Sequence, residues 1–153
     1  MVDVSRTFTV TRSPAQVLAY LSDFGNAEQW DPGTVRCTRV DSGEVTVGSR
    51  WKNVSKVLGR ETELDYELVR LEPDRLILRG SNTTATSTDD IAVVAHPSGS
   101  EVTYHAHIMF NGPARLAEPL MQRVFERLGD QTVAGIRRAL DGGPAGAASD
   151  GAD

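Results

Sequence analysis

Hydrophobic and polar residues alternate along most of the chain up to Phe110, and the pattern changes after that point. A period of two is typical of β-strands that bury one face. The alternation predicts seven strands, at about residues 2–11, 34–40, 49–58, 61–71, 75–80, 86–95 and 101–110. Gly-, Pro- and Asp-containing segments separate several of them, as turns require.

Two short helical segments are predicted after the first strand, and one long helix follows the last strand. Ser13 and Gln16 flank Pro14 with the spacing of a capping box, and a second segment should reach Trp30 before Asp31-Pro32-Gly33 stops it. Residues 114–140 have helical periodicity throughout. The apolar stripe predicted for this helix comprises Leu116, Leu120, Val124 and Leu128, widened by Phe125, Thr132, Ile136 and Leu140.

Two hairpins can be assigned a register from the pattern. With Gly59-Arg60 as a two-residue turn, strands three and four pair so that charged residues share one face and apolar residues the other. The predicted opposite pairs are Lys56–Glu63, Lys52–Glu67, Trp51–Leu68, Asn53–Tyr66, Ser55–Leu64 and Val57–Thr62. Pairing Ala95 with Val102 in strands six and seven puts Asp89 on the apolar face opposite Ile108, and Asp90 beside His107 on the outer face.

This order of elements predicts an α+β fold. An antiparallel sheet with one apolar face must be covered, and the final helix is the only long amphipathic element available. We therefore expect a curved seven-stranded antiparallel sheet wrapped around the long C-terminal helix, with two short helices after strand one.

Length and composition indicate one ordinary globular domain. The chain has 153 residues, and residues 1–141 carry the pattern, whereas residues 142–153 are rich in Gly, Ala and Asp and are expected to be disordered. A net charge of -5 disfavours nucleic acid and anionic membranes as partners. The sequence shows no signal peptide and no apolar run that could insert in a membrane, which predicts a cytoplasmic protein.

The pattern resembles a known superfamily. The residues that carry the resemblance are Phe8–Val10, Ser13–Val17, Asp23-Phe24, Trp30–Gly33, Val47–Trp51, Tyr66–Pro73, Gly99–Tyr104 and the long C-terminal helix. Together they are similar to the helix-grip (SRPBCC, START-like) superfamily, which includes StAR-related lipid-transfer domains, the birch-pollen-allergen group and bacterial polyketide cyclase/dehydrase-like proteins. The resemblance implies a cavity between sheet and helix that holds an apolar ligand.

Ten residues are candidates for contacting such a ligand, and several have a plainer interpretation. The candidates are Trp30, Trp51, Asn53, Tyr66, Arg79, Asp89, Tyr104, Phe110, Leu120 and Val124. The two tryptophans are also typical core residues. Asn53 and Tyr66 could satisfy each other rather than a ligand.

The register decides the role of two candidates. Asp89, if inward, would have a raised pKa suited to acid–base work, but a one-residue slip sends it to solvent. Arg79 could grip an anionic group of a ligand if strand five points it inward; otherwise it is a surface residue. Asp89 and Tyr66 are the candidate catalytic groups.

Other chemistries have little support in the sequence. His105 and His107 share one strand face, which with His96 raises the idea of a metal site, but an outer-face ion pair explains them and we expect no metal. No nucleotide-binding motif is present, so no cofactor is expected. The single cysteine, Cys37, cannot form an intrachain disulfide and has no base nearby in sequence that would activate it.

Three functional hypotheses follow. The first is a protein that binds or carries an apolar small molecule, such as a lipid, acyl chain or polyketide. The second is an enzyme that uses the same cavity as a polyketide cyclase, dehydratase or aromatase. The third is a protein-interaction module, and pairing of sheet edges into a homodimer is left open.

Overall fold

The computed structural model describes residues 1–141, and the tail predicted to be disordered lies outside the described residues. The strands are β1 (Val2–Val10), β2 (Thr34–Arg39), β3 (Arg50–Val57), β4 (Arg60–Glu72), β5 (Arg75–Ser81), β6 (Ala85–His96) and β7 (Gly99–Phe110). The helices are α1 (Pro14–Ser22), α2 (Ala27–Trp30) and α3 (Glu118–Leu140), with 3-10 turns at Phe24–Asn26 and Gly112–Ala117.

The predicted fold is confirmed. The seven strands form one antiparallel sheet in the order β1-β7-β6-β5-β4-β3-β2, and it wraps around α3. Every strand pair except β1–β7 joins neighbours in sequence, as short connections favour. Strands β1 and β2 are the edges of the sheet, so an edge-paired homodimer stays a prediction. No helix among residues 1–141 is long and apolar enough to cross a membrane.

The start of α1 follows the predicted capping box. The Ser13 hydroxyl accepts a hydrogen bond from the Gln16 backbone N–H, and the Gln16 side chain accepts one from the Ser13 N–H. Pro14 occupies the first helical position, where its missing N–H costs nothing. This local motif fixes where the chain leaves β1 and starts to cover the sheet.

The predicted register of the β3–β4 hairpin is wrong by two residues. The turn is Leu58-Gly59, with φ of 54° and 76°, rather than Gly59-Arg60. A two-residue turn with both φ values positive matches the twist of the strands. Here the first of the two positions is a leucine in the left-handed region. The observed opposite pairs are therefore Lys56–Glu61, Lys52–Asp65, Trp51–Tyr66, Asn53–Leu64, Ser55–Thr62 and Val57–Arg60. Because the shift is even, each side chain keeps its predicted face.

The β6–β7 register is also displaced by two residues. Pro97-Ser98 forms the turn, so Val93, not Ala95, lies opposite Val102. Asp89 is consequently opposite Ala106 instead of Ile108, and its predicted inward direction is kept because the shift is even. Asp90 lies opposite His105 rather than beside His107.

The long helix begins later than predicted, and its predicted apolar stripe is right at Thr132, Ile136 and Leu140 but wrong at its N-terminal end. A 3-10 turn precedes it, and the α-helix proper starts at Glu118 with Pro119 in the first turn. Leu116 and Leu120 were expected to face the sheet, yet they are 87% and 55% exposed. The buried residues of α3 are Gly129, Thr132, Gly135, Ile136 and Leu140.

Two glycines let the second half of α3 pack closely on its neighbours. A Cβ atom at Gly135 would lie 2.1 Å from the carbonyl oxygen of Trp30, and one at Gly129 would lie 2.8 Å from the Val4 side chain. The helix can approach α2 and β1 this closely only where it has no side chain. The close approach packs the face that carries Gly129, Thr132 and Ile136 inward.

Candidate functional site

A cavity of about 400 Å³ lies between the sheet and the first half of α3. Its walls are mainly apolar side chains, among them Val4, Leu64, Ile108, Phe110, Met121 and Phe125. No residue of α3 before Gly129 is buried. This half of the helix still contacts the sheet, because the Gln122 side chain makes two hydrogen bonds with the Asp3 backbone and Met121 and Phe125 pack on the small core cluster that contains Ile108. The exposed lining residues Leu58, Arg60 and Ala117 mark where the cavity meets solvent.

The inner wall of the cavity carries a buried carboxyl group. Asp89 on β6 is 5% exposed and accepts a hydrogen bond of 2.7 Å from the hydroxyl of Tyr104 on β7. Burial raises the pKa of Asp89 to about 7, although the Tyr104 hydrogen bond opposes the shift. The group can therefore both take up and release a proton near neutral pH.

Tyr66 on β4 faces the same cavity. Its ring packs on Phe24 with centroids 4.4 Å apart. Gly80 lies directly opposite on β5, where a Cβ atom would be 2.3 Å from the ring, so the bare backbone leaves room for the phenol. Burial, together with the Asp89 charge, raises the pKa of Tyr66 well above its usual range, and the pKa of Tyr104 is raised for the same reasons. Both phenols are neutral donors at physiological pH.

A second carboxyl group, Asp31, lines the cavity just after α2. Its Oδ1 accepts from the Gly33 N–H at 3.0 Å, and its Oδ2 accepts from the Thr34 hydroxyl at 2.9 Å. Burial raises the pKa of Asp31 and these two hydrogen bonds oppose the rise. The turn that ends α2 thus holds this carboxyl group in place.

The sequence matches one protein-family model over residues 1–141, and that model is described as polyketide cyclase / dehydrase and lipid transport. The chain belongs to this family. The match spans every strand and helix described above, including all the residues around the cavity. A search of curated proteins gave no significant match.

Solved structures similar to this family member share its fold at low sequence identity. TTHA0849 from Thermus thermophilus is 12% identical with a TM-score of 0.75, covering 89% of this chain and 94% of its own. A START superfamily protein from Mycobacterium smegmatis is 12% identical with a TM-score of 0.74, covering 90% and 96%. The ZhuI aromatase/cyclase from Streptomyces sp. R1128 is 14% identical with a TM-score of 0.74, covering 92% and 97%.

Four of the ten candidate residues line the cavity of this family member, namely Tyr66, Asp89, Tyr104 and Phe110. Trp30 and Trp51 are 1% exposed and pack in the main core, as their plainer interpretation held. Asn53 is buried too, but its amide donates to Thr34 and accepts from Ser55. It does not meet Tyr66, which lies opposite Trp51.

The other three candidates lie outside the cavity lining. Arg79 is exposed because β5 points Leu76, Leu78 and Gly80 inward, and it lies opposite Glu67 on the outer face. Leu120 is exposed and Val124 is half-buried, whereas Met121 and Phe125 on the adjoining face of α3 line the cavity. Of these two, Phe125 belonged to the predicted stripe.

Sequence reasoning missed several residues of the cavity. Asp31 was interpreted only as part of a stop signal, although an Asp whose side chain bonds the backbone two residues on is a common turn feature. Met121 lies one position beyond the predicted stripe and carries no signal of its own. Ser87 lies two residues before Asp89 on the same inward face and could have been found once that face was fixed.

A more open depression lies outside the fold beside the first residue of the chain. It has a volume of about 570 Å³ and is lined by Met1, Met109, Phe110, Asn111, Gly112, Arg115 and Glu118. Most of these side chains are exposed, and no buried titratable group faces it. The enclosed cavity is therefore the better candidate for a specific site.

Two remaining clusters have structural explanations. On the outer face, the Asp3 carboxylate contacts both His105 and His107, an ion-pair arrangement whose potential ligand atoms lie within 4.8 Å of one another. Asp90 does not pair with His107, because Arg75 binds it through two hydrogen bonds of 2.9 and 2.6 Å.

The single cysteine has no reactive surroundings. Burial raises the pKa of the Cys37 thiol to about 12, which disfavours a nucleophilic thiolate.

Proposed function

We propose that the protein binds an apolar small molecule in the cavity between the sheet and the first half of α3. The observation that carries the proposal is the cavity itself: about 400 Å³ with walls that are mainly apolar. Removing apolar surface from water supplies about 25 cal/mol per Å² buried. A few polar groups on the inner wall orient the ligand, as in most small-molecule sites.

Tyr66, Asp89 and Tyr104 are the groups we assign to orientation. Each is less than a tenth exposed, and the three come from three different strands of one rigid sheet. A polar group held by a sheet keeps its direction without further loss of entropy when a ligand arrives. Met121 and Phe125 supply apolar contact from α3, and Phe110 adds to it from the end of β7.

The test first looks for a ligand bound in the cavity and then fills the cavity by substitution. Native mass spectrometry and organic extraction of the purified protein should show an apolar ligand, and pyrene-1-methanol should bind in a fluorescence titration. Ala106→Phe fills the cavity from β7 and should abolish binding, whereas Thr103→Phe adds the same ring to the outer face of that strand and should not. Equal binding by the two folded variants would place the ligand elsewhere and contradict the proposal.

A second candidate function is acid–base catalysis on a polyketide-like substrate. The specific observation in its favour is the Asp89 carboxyl group, which has a pKa of about 7 and faces an apolar cavity. Such a group can move a proton during cyclisation or dehydration of a β-ketone chain. Mass spectrometry that monitors the loss of water from a poly-β-ketone thioester tests the catalytic role. Asp89→Asn should stop turnover in a variant that circular dichroism shows to be folded; unchanged turnover in that variant contradicts the catalytic role.

A further inference from the structure

The charges inside the cavity are almost all of one kind. Among the described residues that line it, the ionisable groups are two carboxyls, Asp31 and Asp89, two phenols, Tyr66 and Tyr104, and one cation, Arg60. Arg60 is exposed at the hairpin turn where the cavity opens. The inner wall therefore has negative or neutral groups and no positive charge.

Two other cations of the sheet, Arg79 and Arg6, lie outside the cavity lining. Arg79 points to the outer face opposite Glu67. Arg6, which lies close to Gly129 of α3, donates to Asp130 at 2.8 Å and to Glu126 at 3.1 Å. Neither guanidinium lines the cavity, so neither can neutralise an anion there.

The two carboxyl groups differ in their capacity to receive a ligand. Both oxygens of Asp31 already accept hydrogen bonds, from Gly33 and Thr34. Asp89 accepts one from Tyr104 on Oδ1, and a carboxylate has room for several more. A ligand donor that reaches the inner wall would meet Asp89, with Tyr66 close beside it.

Two ligands of equal shape should therefore differ in affinity when one carries a buried charge and the other does not. A buried carboxylate on the ligand would lose its hydration and would face a second carboxyl with no cation nearby, which is unfavourable on both counts. An alcohol or phenol on the same skeleton loses less hydration and donates to Asp89.

We propose that the cavity selects apolar ligands whose buried polar group is an uncharged hydrogen-bond donor, such as a hydroxyl, and rejects the corresponding carboxylates through Asp89. The inference rests on the proposed binding function and narrows its ligand class. The groups facing Asp89 are Tyr104 from β7, Tyr66 from β4 and Asp31 from the turn after α2, and α3 contributes no titratable group to the lining.

The experiment compares two probes with one skeleton at pH 8, pyrene-1-methanol and pyrene-1-carboxylate, by fluorescence titration of the full chain. The carboxylate should bind the natural protein roughly tenfold or more weakly, the ratio that 1.4 kcal/mol of difference produces. Asp89→Asn removes the charge and should reduce the ratio by about threefold or more, while the hydration cost of the carboxylate and the remaining Asp31 still favour the alcohol.

Asp90→Asn is the matched control, since it removes the neighbouring carboxyl group on the outer face of the same strand. It should keep the full discrimination. Circular dichroism and urea denaturation establish that each variant is folded. Equal affinity of the two probes for the natural protein, or an undiminished ratio in Asp89→Asn, overturns the inference while the binding function stands. No binding by either probe, with no extracted ligand, overturns the binding function and the inference with it.

Discussion

The two halves of α3 meet the rest of the protein in different ways. Beyond Gly129 the helix is packed closely: Ile136 and Leu140 are buried in the main core, and Gly129 and Gly135 allow close approach to β1 and α2. Before Gly129 no residue of the helix is buried, and Met121 and Phe125 line the cavity while packing part of their surface on a small core cluster. Gly129 and Thr132 lie at the boundary, since both are buried and both also line the cavity. One helix therefore supplies both a packed core and a binding wall, and the placement of small residues along it separates the two.

The difference between the two halves of α3 should have its largest effect on the free energy of unfolding. Ile136→Ala is expected to lower the free energy of unfolding by about 4 kcal/mol, since a fully buried side chain leaves a cavity in packed surroundings. Met121→Ala should lower it by only about 1 kcal/mol, because that side chain is half-buried and already borders empty space. Urea denaturation of both variants measures this contrast. Similar losses at the two positions would mean that the first half of α3 is packed as tightly as the second.

The cavity wall should also make stability depend on pH. Burial raises the pKa of Asp89 from 3.8 to about 7, so the folded state holds a proton that the unfolded state has released between these values. The free energy of unfolding therefore falls as pH rises from about 4 to 7, by on the order of 3 kcal/mol.

Asp89→Asn should remove most of that fall, and denaturation at pH 4 and pH 8 measures it. Asp90→Asn is the control, because the Arg75 hydrogen bond lowers the pKa of Asp90, and the loss of that pair matters only as pH falls below about 4. A fall of the natural size in Asp89→Asn would show that another group causes it.

The smallest expected effect lies on the solvent side of the first half of α3. Leu120→Ala should change the free energy of unfolding by less than about 0.5 kcal/mol, as is usual at exposed positions. It should leave pyrene-1-methanol affinity unchanged as well. A loss of 2 kcal/mol or more is roughly the cost of truncating a buried leucine. It would mean that Leu120 packs against the sheet, as the leucine spacing predicted.

The sequence predicted the fold well because face alternation survives errors of register. Both hairpins were placed two residues from their observed pairing, yet Asp89 and Tyr66 kept their inward direction, since an even shift preserves the face. The turn type was missed because leucine seldom adopts positive φ, and Leu58 does so here to suit the strand twist.

The cavity was harder to predict because packing, not periodicity, decides it. The leucine spacing predicted an inward face for Leu116 and Leu120, which are exposed, although the later residues of the same stripe do face the cavity or the core. The close contacts of Gly129 and Gly135 fix which part of the helix is packed, and the spacing carries no sign of them. The lining residue Asp31 comes from a turn, where no periodic pattern reports direction. The tertiary contacts of α3 therefore decide which residues line the cavity.

The most direct test of the account is to locate a bound ligand on α3. Methyl-labelled protein saturated with pyrene-1-methanol can be examined by NMR for contacts between ligand protons and side-chain methyl groups. We expect contacts to Met121 and Ile108, which line the cavity, and none to Ile136, which lies in the packed half. Contacts to Ile136, or to Met1 and Met109 without Met121, would contradict the assignment of the first half of α3 as the binding wall.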